Sequence, residues 1–305
     1  VAKVLDAEKN VVETLTAVMS IKNPENEEFA EFLDEFFVAY LEEDQLSVNI
    51  FCENPADFGL EHYDAEWYTF KKFTDADLAH DIKLFEDLLK ELEVFKDAKL
   101  NEQQQIAYDN IERFINYNIE FYGIEDSIFM NVQYVDQFGG YVADFGTYME
   151  AYSLRSELEV KDVVDFIKST KEAFPSYLIF VQEKLDRGYG LSDVTVEGMR
   201  GYLKEIIEDE NGYYLEEVLH EKISKLDFLT DEAKVSYKQQ ITDAINDCFM
   251  VGVQELYDGL EAFIGKVAKE EEGYWATYEN GKELYKLTLE DLLGYDDIDL
   301  QLYIK

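Results

Sequence analysis

The chain has 305 residues, 47% hydrophobic and 15% aromatic, with 68 acidic residues against 27 Lys and Arg, a formal net charge of −41. The apolar share can bury a large core, which separates this chain from disordered acidic sequences, and the length suits one large domain or two smaller ones. The charge repels phosphate backbones and anionic membrane surfaces. It argues against nucleic acid as a partner and leaves basic peptides, basic protein surfaces and divalent cations open, beside the plainer role of keeping a protein dispersed.

No stretch reaches the roughly 18 apolar residues of a membrane-spanning helix, and the opening "VAKVLDAEKN" is not a signal peptide. A start at Val1 in place of Met suggests that something upstream was removed. A first helix is expected over about 4–20, from Leu5, Val11, Val12, Leu15, Val18 and Met19. Asn23 and Pro24 suit a cap and a first helical position. Beyond them Phe29, Phe32, Leu33, Phe36, Phe37, Tyr40 and Leu41 form one apolar stripe. Residues 44–74 mix Pro, Gly and Asn with aromatics and read as an ordered connection with room for one short strand.

Helices resume near Asp75 and again over about 101–121. "DQFGGYVADFGTYMEAY" at 136–152 is glycine-rich and then helical. Helices follow at about 160–187, 192–209 and 213–226, the first kinked or divided at Pro175. A long one runs from Thr230, its cap, to about Glu272, with Gly252, Gly259 and Gly265 inside it for close packing or a bend. There is no alternating strand series, repeat or linker. The reading is an all-α multi-helix bundle with long antiparallel helices, one unit over 1–305 in which an N-terminal helix occupies 1–22.

"VLHEKISKL" at 218–226 begins like a zinc-peptidase helix, but that motif needs a second His four residues on, and Ser224 stands there. The only histidines are His62, His80 and His220, no two within a helical turn, so His220 reads as an ordinary helix residue. An EF-hand register with Gly212 as the sixth loop residue puts Ile207 and Val218 at ligand positions and fails. Asp296, Asp297 and Asp299 lack the turn glycine and final Glu of a calcium loop and suit a helix start. Cys52 and Cys248 belong to no C-x-x-C pair; two buried free thiols are expected, with one disulfide left open. No nucleophile elbow or phosphate-cradling loop is present. Tyr213 and Tyr214 read as core, and no catalytic or metal-ligating residue is assigned.

"EGYWATYENGKELYKL" at 272–287 is more specific. Gly273, Trp275, Gly281 and Tyr285 match a G-x-W…G-x-x-x-Y block of the bacterial family called domain of unknown function 885. Glu279 replaces that family's proline and Leu284 the first of its paired tyrosines. The stretches 29–60 and 134–192 resemble the same family in the same order. The resemblance implies a helical, zincin-type metallopeptidase relative whose H-E-x-x-H helix lies well downstream of the block. This chain, ending at Lys305, would be the amino-terminal portion over 23–305, with the catalytic half and its zinc absent. "LQLYIK" after Asp299 gives under two turns of helix, too short to be stable alone.

On that reading the chain forms one wall of a peptide-binding cleft and hydrolyses nothing alone. Its partners are a peptide substrate and its own C-terminal half. Gly273, Trp275, Gly281 and Tyr285 lie near the cleft, although packing against the end of the long helix accounts for Trp275 and Tyr285 more readily. The resemblance also implies an extracellular or lipid-anchored place, with the cytoplasm open. The alternative is a stand-alone acidic interaction module for a basic partner or calcium.

Overall fold

A computed structural model describes residues 2–5, 11–15, 25–41, 44–130, 140–266, 278–294 and 298. The all-α reading holds for the body of the chain. Its helices are α1 (Glu27–Leu41), α2 (Gln45–Phe51), α3 (Asp75–Glu93), α4 (Glu102–Gly123), α5 (Ser127–Met130), α6 (Gly140–Ala151), α7 (Glu157–Asp186), α8 (Asp193–Glu208), α9 (Leu215–Ser224), α10 (Asp231–Ala244), α11 (Met250–Leu260) and α12 (Gly281–Leu293). No described helix is long and apolar enough to cross a membrane.

The N-terminus departs from expectation. Instead of a helix over 4–20, β1 (Ala2–Leu5) and β2 (Val11–Leu15) pair antiparallel. β-branched Val4 in β1 and Val11, Val12 and Thr14 in β2 favour that pairing. Asn23 and Pro24 lie outside the described residues. Asn26 caps α1, its side chain accepting from the Phe29 amide, and its backbone exchanges two hydrogen bonds with the buried Gln104 amide on α4.

α3 and α4 form an antiparallel hairpin: Phe85 meets Phe114 and Tyr122, while Glu93 faces Tyr108 near the turn. Reciprocal capping boxes start both helices, at Thr74 with Asp77 and at Asn101 with Gln104. The antiparallel expectation fails for the central pair. Thr170 of α7 touches Gly252 and Leu178 touches Gly259, so α7 and α11 run parallel. α10 joins α11 through one π-helical turn, Ile245–Phe249. This composite helix ends at Leu260 and a 3-10 turn, Glu261–Phe263, short of the expected Glu272; Gly265, with a φ of +71° that suits glycine, follows it.

α7 is the axis of the molecule. It runs unbroken for 30 residues, so Pro175 does not divide it. Its Phe166, Phe174, Tyr177 and Phe180 are buried in the largest apolar cluster.

Candidate functional site

The stretch 44–74, expected to be a connection with room for one short strand, has no strand: it holds α2 and the helical turn Pro55–Phe58, and only residues 60–74 are neither helix nor strand. They form an extended strap along α7, and one polar residue per seven of α7 holds it. His62 Nε2 lies 2.9 Å from Asp162 Oδ1. The Trp67 amide donates to Ser169 Oγ (2.8 Å), that of Phe70 to Ser176 Oγ (2.9 Å) and that of Phe73 to Glu183 Oε2 (3.1 Å). The spacing follows from geometry. Seven helical residues rise about 10.5 Å, and three extended residues advance about 10 Å, so Trp67, Phe70 and Phe73 meet successive heptad positions. The stripe continues to Arg155, whose guanidinium donates to the carbonyls of Asn49, Cys52 and Glu53 just before the strap. Between these grips Trp67 and Phe70 bury their rings against Tyr141, Phe145 and Phe180. Such burial stabilises by about 1.5–3 kcal/mol per ring.

A closed polar cluster sits at the strap's first grip. Asp162, 2% exposed, also accepts from the Tyr152 hydroxyl at 2.9 Å. Gln45 joins Tyr152 to the Tyr63 amide, and Asn49 binds Ser153 and Glu159. Burial raises the Asp162 pKa, opposed by the hydrogen bonds from Tyr152 and His62. Burial also lowers the pKa of Lys184 to about 7. Its ammonium, fully buried, donates to the Phe129 carbonyl.

The residues singled out in the sequence lie elsewhere. Gly273 and Trp275 are outside the described residues. Gly281 opens α12 and is buried, and Tyr285, one turn later, is half-buried. The same helix forms one side of a groove of about 560 Å³ against α4. Asp109, Glu112 and Glu120 of α4 and Glu290 and Asp291 of α12 line it, with Arg113 and Lys286 as the cations. Arg113 is committed to the α12 terminus, where it donates to the Glu290 and Asp291 carbonyls, and Lys286 pairs with Glu290 at 3.1 Å. The groove therefore keeps an acidic balance that suits cationic side chains.

His220 is a structural residue, its Nε2 3.0 Å from the Lys238 carbonyl and 3.3 Å from Thr242 Oγ1. Ser224, in the place of the missing ligand, donates back to the His220 carbonyl. No group of three His, Cys, Asp or Glu among the described residues could hold a metal ion. Cys52 is buried and Cys248 half-buried, and both are free thiols. Tyr213 is core, stacked on Phe249 at 4.3 Å, whereas Tyr214 is 48% exposed. Sequence reasoning missed Asp162, Ser169, Ser176 and Glu183, whose signal was a strict seven-residue spacing within one helix.

No curated protein matches the chain in sequence. Among solved structures it is similar to "the putative lipoprotein from Colwellia psychrerythraea", with a TM-score of 0.66 and 18% identity, a likeness of fold. That match covers 90% of this chain and 47% of the other, so the chain spans about half the length of its structural relative. The family model described as "Bacterial protein of unknown function (DUF885)" matches residues 55–302, and the chain belongs to that family.

Proposed function

We propose that the chain is the helical, non-catalytic part of a zinc-dependent peptidase-like protein, in which it forms one wall of a peptide-binding cleft. The observation that carries this reading is the acid-lined groove between α4 and α12, built on the helix that holds Gly281 and Tyr285 of the family-like block. Its carboxylates suit a peptide with Lys or Arg side chains. The coverage of the structural relative, about half of its length, supports a larger whole protein in which further chain completes the cleft. The name of that relative supports a lipid-anchored place at the cell surface.

The described residues do not fit zinc. His62 is engaged by Asp162 and His220 by a carbonyl, and His80, exposed on α3, has only the carboxylates of Asp77 and Asp81 beside it among the described residues and no second His. The metal and its general base belong to the rest of the whole protein, and no chemical step is assigned to this chain. Purified residues 1–305, incubated with a set of fluorogenic peptides with and without added zinc, are expected to cleave none. Cleavage that zinc supports and a chelator abolishes overturns the reading.

A further inference from the structure

A second groove, of about 480 Å³, lies between α1 and the single turn Pro55–Phe58, on the opposite end of the strap region from α12 in sequence. Its apolar surface comes from Val38, Ala39 and Phe58, and its rim from Asp34, Glu35 and Asp57. Phe58 is 41% exposed even though its ring packs edge-on against Phe37 at 5.3 Å. Tyr40, also on α1, and Phe51, at the end of α2, are 58% and 59% exposed. The groove thus presents apolar surface inside an acidic rim, the form that an interaction site takes.

The charges decide what covers it. Among the described residues none of the three rim carboxylates has an ion-pair partner, whereas Lys83, Lys90, Lys168, Lys225 and Lys286 each pair with an acid three or four residues away in their own segment. A second copy of this chain would bring another net charge of −41 against the same rim. An anionic lipid surface meets the same repulsion. A segment with an apolar centre and cationic flanks meets neither.

We propose that this groove docks a basic protein segment, with one or two large apolar side chains seated on Phe58, Val38 and Ala39 and Lys or Arg flanks at Asp34, Glu35 and Asp57. The site is separate from the groove between α4 and α12 and does not depend on a peptidase role. Apolar seating gives the affinity, and the rim gives orientation and association rate.

The test uses two short synthetic peptides of equal positive charge, one with a Leu-Leu-Phe centre and one with a Ser-Ser-Ser centre. Both are titrated into the full chain at low and at physiological salt. The apolar-centred peptide is expected to bind at least about tenfold tighter and to keep that margin as salt screens the flanks. Phe58→Asp should erase the margin. That outcome is diagnostic, because an added negative charge would strengthen any attraction that was purely electrostatic. Val235→Asp, which changes a 70% exposed residue on α10, should leave the margin intact. Circular dichroism checks that each variant is folded. Should Phe58→Asp fail to fold, the double variant Asp34→Lys with Glu35→Lys serves, and it should weaken the apolar-centred peptide at low salt. Equal binding of the two peptides overturns the proposal, as does a margin that survives Phe58→Asp in a folded protein.

Discussion

α7 is held on two sides by opposite means. Towards α11 the contact depends on having no side chain: Gly252 lets the Thr170 carbonyl approach, and Gly259, seven residues on, receives Leu178. Towards the strap it depends on polar side chains, with Asp162, Ser169, Ser176 and Glu183 supplying acceptors to a segment that has no partner strand. Both sides use the seven-residue period, because two turns return a helix to nearly the same face. The difference lies in what the partner needs. A helix satisfies its own backbone and asks only for close approach. An extended segment has free N–H groups, and burying them unbonded is costly.

The glycine side should break first. A Cβ at Gly252 would sit 2.5 Å from the Thr170 carbonyl oxygen, and neither backbone can yield without parting the helices. Gly252→Ala is expected to destabilise by about 1–3 kcal/mol, despite the gain of up to about 1 kcal/mol in helix propensity. Gly259→Ala meets only the movable Leu178 side chain, so its cost should be smaller. Urea melts of both variants check the ranking; equal losses would mean that the backbone approach at Gly252 is not what limits this contact.

On the strap side, Ser176→Ala removes the acceptor of the buried Phe70 amide. An orphaned buried donor costs about 1–3 kcal/mol, and exchange of that single amide should quicken in hydrogen-exchange spectra. Glu183→Gln retains an acceptor oxygen for the Phe73 amide and should change stability by less than about 0.5 kcal/mol. Comparable losses in these two variants would show that side-chain bulk, not acceptance, holds the strap.

These sides were unequally legible. Gly252 and Gly259 stand out in a helical sequence because glycine is unfavourable there, so close packing could be read directly. Ser169, Ser176 and Glu183 do not stand out, because Ser and Glu in a helix look like a solvated face. Their partner is also about 100 residues away, with no strand alternation to reveal it. The helices over 75–93 and 102–123 were legible because apolar periodicity and capping residues agree. The N-terminal segment was not. Leu5, Val11, Val12 and Leu15 fit a helical stripe and a hairpin alike, and so short an apolar run does not separate them. Of the residues proposed for the cleft, the structure describes Gly281 and Tyr285, and the acid-lined groove beside them is assembled from side chains 177 or so residues apart, beyond any local pattern.

The smallest effect concerns the strap's first grip and depends on pH. Burial raises the folded-state pKa of Asp162 above its value in the unfolded chain. A group shifted upwards favours the fold most when protonated, below the unfolded value of about 3.9. That contribution is lost as pH rises through the folded-state pKa. The groups facing it are His62 on the strap, Tyr152 after α6, Gln45 and Asn49 on α2, and Glu159 with its partner Arg155. Asp162→Asn keeps an acceptor for the Tyr152 hydroxyl and cannot ionise. The stability of wild type minus variant should therefore fall as pH is raised from 4 towards 7, and subtraction cancels the other carboxylates common to both proteins. His62 opposes this fall, since its hydrogen bond and charge act to lower the Asp162 pKa. In the His62→Gln background the decline should therefore be steeper. A difference that rises with pH would mean that Tyr152 and His62 outweigh burial, and that the strap is clasped by a charge rather than by neutral hydrogen bonds.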